Sequence, residues 1–190
     1  MTDLTPKIAD IIAKSRDNLT TLIGQSGDIA RAAERVITAL KAGGTVFFCG
    51  NGGSASDAAH LAGELSGRFF LDRKGLPAVA LGMNTSTLTA IGNDFGYENV
   101  FSRELDGLAR PGDVIIGIST SGKSANIVKA LELARSKGVG TIGLTGRGGG
   151  TMAALCDICI KVPADSTPRI QEMHIVAGHI ICELAEAAMA

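Results

Sequence analysis

Residues 45–68 read TVFFCGNGGSASDAAHLAGELSGR, and this stretch decides the fold. The apolar run Thr45–Cys49 has the length and composition of a buried strand. The turn Gly50-Asn51-Gly52-Gly53 follows, and Ser54 or Ser56 can cap a helix after it. Strand, glycine turn and helix in that order open a doubly wound α/β sheet, and such a turn leaves backbone N–H groups free to hold an anion. His60 and Glu64 are spaced i, i+4 on the helix, so their side chains share a face. An imidazole beside a carboxylate, one helix away from an anion site, points to chemistry on a phosphorylated metabolite.

Outward from this unit, four more apolar runs read as buried parallel strands: Ala78–Leu81, Val114–Ile118, Thr141–Leu144 and Ile158–Val162. Helical stretches at 54–67, 86–92, 98–109 and 123–137 separate them. The expected fold is a doubly wound sheet of about five parallel strands flanked by helices. Two helices precede it, at 3–23 and 28–42. The near-heptad stripe of the first favours a helical arm over residues 1–43 packed against another subunit; the alternative is that it covers one face of its own sheet. The last stretch, Pro168–Met189, reads as one long helix with Pro168 in its first turn, apolar on most sides and therefore buried. The 190 residues make one domain, 1–190.

Composition narrows the function. A net charge of −1 with both signs dispersed favours neither nucleic acid nor an anionic membrane as partner. With no Trp, one Tyr and six Phe there is no stacking platform for bases. Glycine, at 25 of 190 residues, is about twice the usual ~7% share, which fits several tight loops. No stretch has the length of a membrane span, and the N-terminus lacks a signal peptide's apolar core, so the expected location is the cytoplasm. Cys156 and Cys159 have CxxC spacing but no second pair to make a zinc knuckle, and the spacing runs into a strand. The four cysteines read as buried, reduced thiols.

Three loops lie where ligands bind, at the carboxyl ends of the strands. Gly50-Asn51-Gly52-Gly53-Ser54-Ala55 fits the dinucleotide pattern, but no acid ends the second strand to hold a ribose. Gly117-Ile118-Ser119-Thr120-Ser121-Gly122-Lys123-Ser124 fits the Walker A pattern, but no strand ends in the Asp that would complete a magnesium site. Its four hydroxyls (Ser119, Thr120, Ser121, Ser124) at a helix start can hold a monoester phosphate without a metal. Thr145–Gly150 reads as a flexible rim with no role.

Four segments in order, GNGGSASDAAHLAGEL, IGNDFGYENVFSREL, ISTSGKSANIVKAL and TPRIQEMHIVAGHIICELAE, resemble the phosphoheptose isomerases of the sugar isomerase (SIS) domain group. The resemblance covers nearly the whole chain. It implies a cytoplasmic homotetramer, a zinc ion in each subunit, and interconversion of sedoheptulose 7-phosphate and D-glycero-D-manno-heptose 7-phosphate for bacterial glycans such as lipopolysaccharide. It implies substrate contacts at Asn51, Gly52, Gly53, Glu64, Asn93, Asp94, Ser119, Thr120, Ser121, Ser124 and Gln171. It also implies metal ligands at His60, Glu64, Gln171 and His179.

An aldose–ketose isomerase needs a base at carbon, an acid at the carbonyl oxygen, and stabilisation of the oxyanion that develops. Glu64 is the candidate base and His179 the candidate acid, with Asp94 as a possible assistant to Glu64. Two nitrogen and two oxygen ligands suit zinc. Residues 171 and 179, however, stand about 12 Å apart along one ideal helix and about 80° apart around it. They reach one ion only if it sits between them, if the helix starts after Gln171, or if two subunits contribute. His174 reads as structural. The competing function is a non-catalytic SIS module of the kind that binds a replication initiator protein.

Overall fold

Each of the five apolar runs forms a strand in the computed structural model, which describes residues 2–190. The strands are β1 (Val46–Gly50), β2 (Ala78–Ala80), β3 (Val114–Ser119), β4 (Gly140–Gly146) and β5 (Ile158–Val162). They pair in parallel in the order β2-β1-β3-β4-β5. Because side chains alternate along a strand, β1 feeds two cores. Val46 and Phe48 join the layer on one face of the sheet, while Phe47 and Cys49 join the layer on the other. Burial of each Phe contributes about 1.5–3 kcal/mol. From β1 the chain crosses to β2 on one side, then returns to β3 on the other. The strand order therefore reverses between β1 and β3, and a ligand crevice opens beyond their carboxyl ends.

The helices are α1 (Thr5–Leu22), α2 (Ser26–Lys41), α3 (Gly53–Ser66), α4 (Thr85–Phe95), α5 (Val100–Leu108), α6 (Ala125–Ser136), α7 (Met152–Leu155) and α8 (Thr167–Met189). Helix α7, a single turn, was not expected; four residues are too few to show a helical period. Helices α2, α3 and α8 line the first core, and α5, α6 and α7 the second.

The expected arm, residues 1–43, divides in two (Met1 lies outside the described residues). Helix α2 buries Ile29, Ala32, Ala33, Val36, Ala39 and Leu40 and packs on its own sheet and on α8. Helix α1 buries only Leu22 and leaves Ile8, Ile11 and Ile12 exposed, as is Leu4 just before it. The apolar stripe expected to meet another subunit is thus confined to α1. The four cysteines are free; Cys49 and Cys182 are buried as expected, whereas Cys156 and Cys159 are only half-buried. Among the described residues no helix is long and apolar enough to cross a membrane.

Candidate active site

Three helices begin at the crevice. Helix α3 starts at Gly53, α6 follows Ser124, and α8 starts at Thr167. Gly53, Ser124 and Thr167 line one cavity of about 270 Å3, together with Asn51, Ser54, Ile118, Ser119, Thr120, Ser121 and Gln171. Three positive helix ends and six hydroxyl side chains face this space, and no carboxylate does. Such a lining attracts an anion. Neither Ser54 nor Ser56 caps α3, contrary to the sequence reading; Gly52 holds that position with a left-handed φ of 57°, and no side chain caps the end. The first N–H groups of α3 are therefore free of a side-chain cap.

The loop after β3 is built from its own hydroxyls. Ser119 Oγ lies 3.0 Å from Ser124 Oγ and 3.5 Å from Ser121 Oγ, and it accepts the Gly122 N–H at 3.2 Å. The stretch Thr145–Gly150, expected to be a passive rim, instead supports this loop. Gly146 N–H donates to the Thr120 carbonyl at 3.1 Å, and Met152 N–H to the Gly122 carbonyl at 3.0 Å. Gly122 has a φ of 64°, and a Cβ there would collide with the Gly149 carbonyl.

Asn51 is held by partners that the sequence did not reveal. Its amide exchanges two hydrogen bonds with Asn126, at 2.9 and 2.8 Å, and accepts the Tyr97 hydroxyl at 2.9 Å. Asn126 is 3% exposed, and its oxygen also accepts the Ile127 N–H. Only the i, i+75 pairing in space gives these residues a role.

Helices α3 and α8 run side by side in the same direction. A Cβ on Gly178 would strike Leu61, so glycine is what allows the close approach. The contact brings His60 Nε2 to 2.8 Å from His179 Nε2, and Glu64 Oε1 lies 3.3 Å from His60 Nε2. One ligand atom from each of His60, Glu64 and His179 lies within 4.8 Å of the others. Zinc with bonds of 2.0–2.2 Å sets tetrahedral ligand atoms about 3.4 Å apart, so this group fits a metal with small adjustments. A fourth residue stands behind it. One carboxylate oxygen of Asp57 is buried with no hydrogen-bond partner among the described residues. Burial raises the Asp57 pKa, and the charges of His60 and His179 pull it back. Asp57 precedes His60 by three residues and Glu64 by seven, a spacing that could have marked it.

Gln171 does not join this group within the chain. It lines the cavity with its Nε2 against Gly53. The physical reason is the one already stated: α8 is unbroken from Thr167 to Met189, so eight residues separate Gln171 from His179 by about 12 Å. Of the four expected ligands, His60, Glu64 and His179 converge in this chain, while Gln171 stands at the level of the cavity. Asn93 and Asp94 lie exposed near the end of α4, where Asn93 Nδ2 donates to Asp94 Oδ1 at 2.7 Å; they do not line the cavity. His174 is fully buried, and burial lowers its pKa to about 4 against a smaller pull from the Thr145 backbone. A larger cleft, about 430 Å3, lies between α1 and the start of α8. Its cations are already matched, Lys14 by Asp10, Arg147 by Asp165 and Arg169 by Glu172.

Fold and site together define a doubly wound domain with a hydroxyl-lined cavity at its switch point and a His/Glu group two helical turns away. Residues 11–146 match the SIS domain family model. A phosphoheptose isomerase from Rhodospirillum rubrum is 59% identical over 161 residues, 85% of this chain and 86% of that protein. One from Akkermansia muciniphila is 56% identical over 170 residues, 90% of each. The solved phosphoheptose isomerase from Neisseria gonorrhoeae superposes with a TM-score of 0.92 at 41% identity, over 97% of this chain and all of that one. The chain belongs to the phosphoheptose isomerase family of SIS-domain proteins.

Proposed function

We propose that this chain is an aldose–ketose isomerase that interconverts sedoheptulose 7-phosphate and D-glycero-D-manno-heptose 7-phosphate, supplying heptose for a bacterial glycan. The carrying observation is a distance. Gly53 and Gln171 lie at the anion cavity, and His60 and His179 lie seven and eight residues further along the same two helices. At 1.5 Å per residue the two levels are about 10–12 Å apart. An extended seven-carbon sugar phosphate measures roughly 10 Å from phosphorus to C1, given bonds near 1.5 Å. With its phosphate among the hydroxyls, its first two carbons reach Glu64 and His179.

The geometry supports the following division of labour. The hydroxyls of Ser119, Thr120, Ser121 and Ser124, with the helix N-termini, hold the phosphate and fix which carbon meets the base. Asn51, Gly52, Gly53 and Gln171 border the chain of the sugar. Glu64 takes a proton from C1 of the ketose while His179 gives one to the C2 oxygen, which forms the enediol. Return of a proton to C2 and loss of the O1 proton complete the aldose. His60, Glu64 and His179 would hold one zinc ion, which when bound would supply a Lewis acid at the carbonyl oxygen in place of the His179 proton. Asn93 and Asp94 serve as further substrate contacts. They reach the sugar across the subunit boundary of a homotetramer in which the exposed α1 stripe and α4 are covered. Retention of the His60, Glu64 and His179 group favours this reading over a binding module.

Incubating the pure protein with sedoheptulose 7-phosphate, with and without added zinc, tests the function by NMR. The aldose signals should appear. Absence of turnover under both conditions, with tight binding to a replication initiator protein, would favour the module.

A further inference from the structure

Among the described residues, Glu186 on α8 is the most deeply buried carboxylate, at 1% exposed. Its Oε1 accepts the Phe69 N–H at 2.8 Å, and its Oε2 accepts those of Phe70 and Leu71 at 2.6 and 2.9 Å. Arg73 Nε lies 3.0 Å from Oε1 but is not aimed along the contact, so opposite charge rather than a directed hydrogen bond joins them. Burial works to raise the Glu186 pKa, but the N–H groups and the Arg73 charge outweigh it and bring it down to about 2. Glu186 is therefore an anion at any pH at which the protein would work.

The same guanidinium reaches the other helix. Arg73 Nη1 donates to the carbonyls of Leu65 and Gly67, at 2.9 and 3.1 Å, and Nη2 to that of Glu64 at 3.1 Å. Glu64 and Leu65 belong to the last turn of α3 and Gly67 is its C-cap, where a helix runs out of its own N–H partners. Arg73 thus closes the helix that carries His60 and Glu64, and its counterion sits on the helix that carries His179. Between the two, Phe69 turns its ring toward His179, with centroids 5.6 Å apart.

We propose that Glu186 and Arg73 are positioning residues: the pair is a brace that sets His60 and Glu64 on α3 against His179 on α8. This rests on reading those three side chains as the reacting end of the site. A buried ion pair is weak as a source of stability, because an apolar pair of similar volume commonly does as well. What it offers here is a fixed geometry, and a misplacement of about 1 Å at a reacting centre can cost about 100-fold in rate.

The test uses the full chain carrying Glu186→Gln and, separately, Arg73→Lys. Two quantities are read below the melting temperature: the kcat and KM for sedoheptulose 7-phosphate, and the Kd for Zn2+ by competition with a chromogenic chelator. The brace predicts a kcat lower by about 10–100-fold and a zinc Kd raised about tenfold or more, the range seen for residues supporting metal ligands. KM should stay within about threefold, because the phosphate end lies two turns away. A folded Glu186→Gln protein that melts earlier but keeps wild-type kcat and zinc Kd would overturn the proposal. If Glu186→Gln does not fold, Arg73→Lys is judged by the same two readings, since Lys keeps the charge but not the fork. Should the unaltered protein not isomerise the ketose, the function fails by itself and the zinc Kd still decides the brace. Should it isomerise without binding zinc, the split between kcat and KM decides.

Discussion

Ser119, Ser121 and Ser124 converge through their hydroxyl oxygens, and in the proposed function they hold the phosphate rather than react. A hydrogen bond to a charged partner contributes about 1.5–3 kcal/mol. Ser119→Ala combined with Ser121→Ala should therefore raise KM by tenfold or more and leave kcat within a few-fold in steady-state assays; an unchanged KM would place the phosphate elsewhere. Glu64→Gln should lower kcat by about 10²–10⁴-fold, the contribution of a general base, while sedoheptulose 7-phosphate still raises the melting temperature. Near-wild-type turnover would remove Glu64 from that role. His60, Glu64 and the serine loop were legible in the sequence because each sits in a short pattern on its own segment, whereas His179 was marked only by the resemblance. Asp57 shares their face and was passed over. Asn126, Tyr97, Arg73 and Glu186 carry no local mark, because their partners are 46 to 117 residues away or on another helix.

At the scale of elements, the strands and the longer helices follow from hydrophobic period alone, while the supporting loops do not. The Thr145–Gly150 stretch looks slack by composition, yet its backbone supports the serine loop after β3. Gly122→Ala should be disruptive, since the new Cβ would combine a left-handed φ of 64° with a clash against backbone. The expected result is a loss of more than about 1 kcal/mol in urea unfolding together with a raised KM. Gly63→Ala, on α3 with nothing near its Cβ, is the control and should leave both nearly unchanged or slightly improved. The single-turn helix α7 is too short to show a period, and the division of the arm between α1 and α2 escaped the sequence reading for another reason. Periodicity reports that a face is apolar, not which molecule covers it.

For the whole molecule, buried His174 links stability to pH. Its pKa is about 4 in the folded chain against 6.5 when exposed, so the unfolded state binds more protons between those values. The contribution is fully present above pH 6.5 and is lost as pH falls toward 4, up to about 3 kcal/mol at 1.36 kcal/mol per pH unit. Urea titrations should show that slope, and His174→Phe, if folded, should flatten it. Assembly is read from mass: light scattering should give four times the 19.4 kDa chain, and Ile8→Ser with Ile12→Ser on α1 should lower that mass.

The central claim is that one sugar phosphate spans two sites on a single pair of helices. A crystal structure with sedoheptulose 7-phosphate measures this directly. The phosphate should lie among Ser119, Ser121 and Ser124, with C1 and C2 within about 3.5 Å of Glu64 and His179. A phosphate bound away from the β3 loop, or a C1 far from Glu64, would contradict it.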